Sequence, residues 1–98
     1  MKTWLQENLF TLAESRGMLR PGKVGLEINQ TAVEQLTKVP QTTQSGIMKQ
    51  GKIPRIDTLI KLATGFEVEL WQLLAPPAVF RASLTPKFAE LVDVLSRQ

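Results

Sequence analysis

Apolar residues recur at helical spacing in short segments that Gly and Pro residues separate, and this pattern restricts the chain to a small helical fold. Capping and stop signals predict five helices, which start near Thr3, Asn29, Pro40, Asp57 and Leu70. Residues 18–27 are rich in Gly and Pro and are predicted to form a loop between the first two helices. No strand pattern is apparent. The sequence therefore predicts an all-α domain over residues 1–75.

The chain beyond this domain is predicted to contain a linker and one more helix. Pro76 and Pro77 predict the end of the compact region, followed by a linker over residues 76–84. Residues 85–98 are predicted to form an amphipathic helix, whose apolar stripe consists of Phe88, Leu91, Val92 and Leu95. A helix of this length is marginal alone in water, so the stripe needs a surface to pack against. We favour dimerisation with a second copy; the alternatives are that the helix folds back onto its own domain or leads into a further domain.

The residue types that are absent exclude several classes of function. The chain has no Cys and no His, which excludes disulfides, zinc sites and every catalytic arrangement based on these residues. No pair of acidic residues lies in the apolar context that paired-carboxylate catalysis needs. We therefore expect no enzyme activity, no metal and no cofactor. No apolar run approaches the ~20 residues of a membrane span, and the N-terminus lacks a signal-peptide stretch, so we expect a cytoplasmic protein without a membrane partner.

Basic residues are concentrated in one part of the chain. The formal net charge is +3, and the segment 38–61 contains five basic residues against one acidic residue. A basic segment in an otherwise balanced chain indicates an anionic partner, most commonly nucleic acid. The alternative interpretation is a solvated basic face without a partner.

The predicted third helix is unusually polar, since its first six residues after Pro40 are Gln, Thr, Thr, Gln, Ser and Gly. Such residues have modest helix propensity and add little to a core. Their amide and hydroxyl groups are the ones that read base edges in DNA. If Ile47 faces inward, helical spacing places Gln41, Thr42, Ser45 and Lys49 on the exposed side. We favour base recognition over the alternative of an ordinary surface helix.

Residues 28–43, 54–63 and 68–74 resemble the phage repressor and Cro-like family of helix-turn-helix regulators. The most specific block reads Pro-Arg-Ile-Asp-Thr-Leu over residues 54–59 and Lys-Leu-Ala over residues 61–63. The resemblance implies a five-helix, lambda-repressor-like domain with helices two and three as the helix-turn-helix. It also implies a sequence-specific, double-stranded-DNA-binding transcriptional regulator, most often a repressor, that binds a two-fold symmetric operator as a homodimer.

The same resemblance implies roles for individual residues. Gln30 would meet the DNA backbone at the start of helix two, while helix three would face the major groove. Lys52 and Arg55 would meet phosphates or the neighbouring minor groove. Gln44 stands where the family usually has an aliphatic residue, and a register open by one position leaves it facing either DNA or the core. The predicted DNA-binding set is Gln30, Gln41, Thr42, Gln44, Ser45, Lys49, Lys52 and Arg55.

Two alternatives remain open from the sequence. The same helical fold serves antitoxins, whose main partner is a toxin protein, and a repressor of this kind can also bind an antirepressor. In the predicted loop, Arg20 and Lys23 offer further phosphate contacts, although a decorated surface loop is the favoured interpretation.

Overall fold

The computed structural model describes residues 2–84, which form six helices and one two-stranded sheet. In chain order the elements are α1 (Trp4–Ser15), β1 (Leu19–Pro21), β2 (Leu26–Ile28), α2 (Gln30–Thr37), α3 (Gln41–Gln50), α4 (Ile56–Gly65), α5 (Leu70–Leu74) and α6 (Pro77–Ser83). The prediction of a predominantly helical domain is confirmed. The expectation that the domain contains no strand is wrong, because a short β-hairpin stands between α1 and α2.

Side-chain caps start the first two helices where the sequence predicted them. The Thr3 hydroxyl accepts a hydrogen bond from the Gln6 backbone N–H at 3.1 Å, and Gln6 Oε1 accepts from the Thr3 N–H at 2.6 Å. At α2, Asn29 Oδ1 accepts from the Ala32 N–H at 3.2 Å. These bonds satisfy backbone donors that the first turn of a helix leaves free.

The later helices differ from the prediction in detail. Pro40 is the N-cap of α3 rather than its first residue, and the N-cap of α4 is Arg55, two residues before the predicted cap Asp57. On α4, Ile60 is 49% exposed, whereas Leu59 beside it is buried. Successive helical residues differ by about 100° in direction, so the apolar run of α4 extends beyond its inward face.

The predicted loop over residues 18–27 is an antiparallel hairpin in the structure. Its strands pair Leu19 with Ile28, Arg20 with Glu27 and Pro21 with Leu26. The Gly22 N–H donates to the Gly25 carbonyl at 2.6 Å and closes the turn, where Gly25 has a φ of +148° that only glycine adopts readily. Ile28 is buried and anchors β2, which packs against α1.

Every helix contributes to one apolar core. A buried side chain from each of the six, in chain order, is Leu5, Val33, Ile47, Leu62, Leu73 and Phe80. Burial of this apolar surface is the main favourable term for a fold without disulfides.

Two buried amide side chains on α1 fix the positions of other helices. Gln6 Nε2 donates to the backbone carbonyls of Ile47 and Met48 in α3, each at 3.0 Å. Asn8 Nδ2 donates to the Leu73 carbonyl at 2.8 Å, at the end of α5. Because buried hydrogen bonds of this kind are costly to break, they hold α3 and α5 in place against α1.

The predicted linker over residues 76–84 is wrong. Pro77 occupies the first turn of α6, and Phe80 on this helix is fully buried where α6 packs against α1 and α5. Gln72 Nε2 also donates to the Ser83 hydroxyl at 2.8 Å. The compact domain therefore extends through α6, beyond the predicted boundary at residue 75. The predicted C-terminal helix lies outside the described residues.

Candidate functional site

One face of α3 points away from the core. The two buried residues of this helix are Gln44 and Ile47, and at about 100° per residue four others lie on the opposite side. We call this side the outer face of α3; it consists of Thr42, Ser45, Gly46 and Lys49. Thr42 and Lys49 are exposed, while Ser45 and Gly46 are half-buried. The face carries two hydroxyl groups, one ammonium group and a glycine without a side chain.

Gln44 is not part of this face, which corrects its place in the predicted DNA-binding set. Its side chain is 4% exposed, and its Nε2 donates to the backbone carbonyls of Gln30 and Val39, each at 3.0 Å. Of the two registers left open by the sequence, the structure has the one that turns Gln44 inward. Its amide therefore connects α3 to the start of α2 and to the turn between them.

Gln30, the first residue of α2, contacts the outer face directly. Its Nε2 lies 3.0 Å from the Ser45 hydroxyl oxygen, and its Oε1 lies 3.3 Å from the same atom. Both side chains are half-buried. This contact brings the start of α2 beside the middle of α3.

Gln41 lies at the N-terminal edge of the outer face, with its side chain exposed. Its Nε2 lies 3.3 Å from Thr31 Oγ1 and 3.2 Å from Glu34 Oε1, both on α2. Thr31 and Glu34 were not predicted as members of the site. Their spacing of three residues placed them on one face of α2 and was the signal that could have found them.

A groove borders the outer face on the side of the turn that follows α3. Gly51 ends the helix with a φ of +67°, and the Lys52 N–H then donates back to the Gly46 carbonyl at 3.1 Å. The groove has a volume of about 340 Å³ and is lined by Thr42, Thr43, Gly46, Ile47, Lys52, Ile53, Pro54 and Arg55. We call it the Lys52 groove. It contains two of the predicted phosphate-binding residues.

Arg55 in this groove is available to a ligand. Its Nε lies 3.7 Å from Asp57 Oδ1, and the two side chains are 90% and 64% exposed. An ion pair so exposed to solvent contributes little and is readily exchanged for another anion.

A second groove lies on the other side of α3, between that helix, the start of α1 and the hairpin. It has a volume of about 250 Å³ and is lined by Lys2, Gln6, Phe10, Arg20, Leu26, Glu27, Ile28, Gln30, Met48 and Lys49. We call it the hairpin groove. The sequence does not predict this groove, because its pattern predicts a loop in place of the hairpin and Lys2 lies far from α3 along the chain.

The outer face of α3 therefore lies between two grooves that contain cations. The two grooves lie on different sides of α3, because successive residues of a helix differ by about 100° in direction. The Lys52 groove is lined by Thr43 and Gly46, and the hairpin groove is lined by Met48. The arrangement combines hydroxyl and amide groups in the middle with ammonium and guanidinium groups on both sides. It is suited to a polyanion that also carries hydrogen-bonding groups.

Seven of the predicted residues lie on the outer face of α3 or beside it, namely Gln30, Gln41, Thr42, Ser45, Lys49, Lys52 and Arg55. The predicted dimerisation residues Phe88, Leu91, Val92 and Leu95 lie outside residues 2–84. Within that described part of the chain, no cluster of three or more acidic side chains could hold a metal ion.

None of the helices that the structure describes is long and apolar enough to cross a membrane. Comparison of the chain with protein-family models, with curated proteins and with solved structures finds no match.

Proposed function

We propose that this protein is a sequence-specific, double-stranded-DNA-binding transcriptional regulator of the repressor type, with α2 and α3 as its helix-turn-helix. The observation that carries the proposal is the position of the outer face of α3 between two grooves that contain cations. The likeness of residues 28–43 and 54–63 to phage repressor and Cro-like regulators supports the same function.

The dimensions of DNA explain why this arrangement favours a duplex. The major groove is about 12 Å wide and admits one α-helix, which then has a phosphate backbone on each side. Hydroxyl and amide groups in the middle would meet base edges, and cations on both flanks would meet phosphates. Contacts to phosphate supply most of the affinity, while contacts to base edges supply the sequence preference.

Gln41 is the residue that we expect to discriminate most strongly between bases. A glutamine amide can bond adenine at N6 and N7 together. The contacts of Gln41 with Thr31 and Glu34 are solvent-exposed, so exchanging them for bonds to a base costs little net free energy. Thr42 and Ser45 would extend the readout along the helix, and a threonine methyl can contact a thymine methyl.

The test is selection of bound fragments from random duplex DNA with purified wild type and three variants. We expect Gln41→Ala to lose about 1–3 kcal/mol of discrimination at one base pair. Lys52→Ala should weaken binding to all sequences alike and lower the salt dependence of binding. Arg81→Ala is the matched charge control, because Arg81 lies on α6 and lines neither groove; it should leave both properties unchanged.

Two outcomes would contradict the proposal. If wild type shows no salt-dependent affinity for duplex DNA, DNA binding is wrong. If Gln41→Ala and Lys52→Ala retain the same sequence profile and differ only in overall affinity, the roles assigned to them are wrong.

We propose a homodimer on a two-fold symmetric operator with half-sites about 10 bp apart. The apolar stripe of residues 85–98 is the candidate dimer element on sequence grounds. Leu91→Glu in the full chain should convert the dimer to a monomer in analytical ultracentrifugation, and selected sites should lose their symmetry. If the dimer persists in this variant, the dimer interface lies in another part of the chain.

A second candidate function, the antitoxin type with a toxin protein as main partner, is favoured by a separate observation. Ile53, Ile56 and Ile60 are 63%, 59% and 49% exposed on and just before α4. Ile56 and Ile60 are four residues apart and share one face of α4, and exposed apolar side chains on one face are typical of protein-binding surfaces. Under this function, a small protein would co-purify with wild type in a fixed ratio and would be lost from Ile60→Asp, while the affinity for DNA stays unchanged.

A further inference from the structure

The β-hairpin is an element that the proposed function does not yet use. Residues 22–25 join its two strands, and Val24 in this turn is fully exposed. The hairpin is held at its base, where the Asn29 N–H donates to the Met18 carbonyl at 2.8 Å and Ile28 is buried. It is thus an ordered projection attached at the point where α2 begins.

The charges of the hairpin groove favour an anion. Its lining contains the cations Lys2, Arg20 and Lys49 and a single carboxylate, that of Glu27. Arg20 Nη2 lies 3.1 Å from Glu27 Oε1, and the two side chains are 59% and 47% exposed. Because this pair is open to solvent, its net contribution to stability is small and Arg20 can bond another anion at little cost.

The hairpin groove is continuous with the surface proposed to read DNA. Lys49 belongs both to this groove and to the outer face of α3, and Gln30 lines the groove while it bonds Ser45. A duplex seated on the outer face would therefore bring one of its two backbones towards the hairpin groove and the other towards the Lys52 groove.

We propose that the hairpin groove binds the sugar–phosphate backbone of one DNA strand, with Lys2 and Arg20 as phosphate ligands in addition to Lys49. This inference rests on the proposed function, since it adds the hairpin and the start of the chain to the same DNA interface. It makes the hairpin a DNA-binding element rather than a decorated surface loop.

The experiment measures how the affinity for a selected duplex varies with salt concentration. Each phosphate contact contributes about 0.9 to the slope of log affinity against log salt. The double variant Lys2→Ala, Arg20→Ala should therefore lower that slope by about 2 and weaken binding to selected and random duplexes by the same factor. Lys23→Ala is the matched control, because Lys23 lies in the same hairpin but lines neither groove. It should leave the slope unchanged.

Glu27→Gln gives a test in the opposite direction. Removing the only carboxylate of the groove frees Arg20 for phosphate, so affinity for both duplexes should rise. A purely structural role of the Arg20–Glu27 pair would instead make this variant bind no better than wild type and lower its thermal midpoint.

The outcomes separate this inference from the function on which it rests. If wild type binds no duplex, both are wrong. If Lys52→Ala lowers the salt slope but the double variant, with an unchanged thermal midpoint, does not, only the role of the hairpin groove is wrong. If Lys23→Ala lowers the salt slope by half as much as the double variant, which removes two charges, the inference is also wrong, because the effect then reflects net charge rather than the groove.

Discussion

The amide group of Gln30 and the hydroxyl group of Ser45 are hydrogen-bonded across the two helices, with Nε2 and Oε1 lying 3.0 and 3.3 Å from the hydroxyl oxygen. One of these residues begins α2 and the other lies on the outer face of α3. The pair therefore couples the contact proposed for the DNA backbone to the contact proposed for the bases. A substitution at one of the two residues therefore also changes what holds the other side chain in position.

We predict that Gln30→Ala and Ser45→Ala are non-additive in their effects on DNA affinity. Each single change removes the same interhelical bond, so the double variant should lose less than the sum of the two. The coupling free energy should lie in the range of about 0.5–3 kcal/mol found for residues in contact. A double-mutant cycle on a selected duplex measures it, and the pair Gln30→Ala with Lys52→Ala provides the additive control. Additivity in both cycles would show that the bond does not matter for binding.

Gly46→Ala should raise the stability of the fold and lower its affinity for DNA. A Cβ at this position would meet only Lys52 Cδ at 3.6 Å, which is ordinary van der Waals contact, and the backbone there does not need glycine. Alanine should therefore stabilise the fold by about 0.5–1 kcal/mol in urea unfolding. Since the new methyl group projects from the outer face, binding to the selected duplex should weaken roughly tenfold, or about 1.4 kcal/mol.

The control for this variant is Thr64→Ala, an exposed position of α4 that lines neither groove. It should leave DNA affinity unchanged. A Gly46→Ala protein that gains stability and binds as well as wild type would mean that DNA does not approach the outer face closely.

Gln44→Ala, in contrast to Gly46→Ala, should lower the stability of the fold without changing DNA recognition. The substitution leaves a cavity and removes the donor to the Val39 carbonyl, so we expect a loss of about 2–4 kcal/mol in the free energy of unfolding. The base preference of the folded protein should be unchanged, because the side chain is buried. Urea unfolding and fragment selection measure the two properties. A shifted base preference with an unchanged unfolding midpoint would return Gln44 to the DNA-contacting set.

The sequence predicted those parts of the fold that local chemistry determines. The caps at Thr3 and Asn29 each depend on a side chain and a backbone group three residues apart, so their signals are contained in a few residues. The polar face of α3 was also predictable, because helical periodicity alone separates it from Ile47.

The sequence did not predict the features that depend on tertiary contacts. The strands of the hairpin are exposed apart from Ile28 and the half-buried Leu19, so they lack the alternation that indicates a strand. The inward position of Gln44 was undecidable because its two carbonyl partners come from α2 and from the turn before α3. The hairpin groove joins residues from three separate segments, and no local pattern contains it.

The prolines at residues 76 and 77 were interpreted as the end of the domain, although Pro77 also suits the first turn of a helix. Phe80 on that helix is fully buried against the domain, so we predict that Phe80→Ala costs about 3–5 kcal/mol in the free energy of unfolding. Val79→Ala, at a neighbouring position that is 43% exposed, should change it by no more than about 0.5 kcal/mol.

Urea unfolding followed by circular dichroism measures both variants. If Phe80→Ala and Val79→Ala both change the free energy of unfolding only slightly, α6 is peripheral and the domain ends near residue 75. If Phe80→Ala is strongly destabilising and Val79→Ala is not, α6 unfolds cooperatively with the rest of the domain. A truncation that tests the C-terminal segment should then retain Leu84, since a cut after Pro77 would remove Phe80 and destabilise the core together with any dimer.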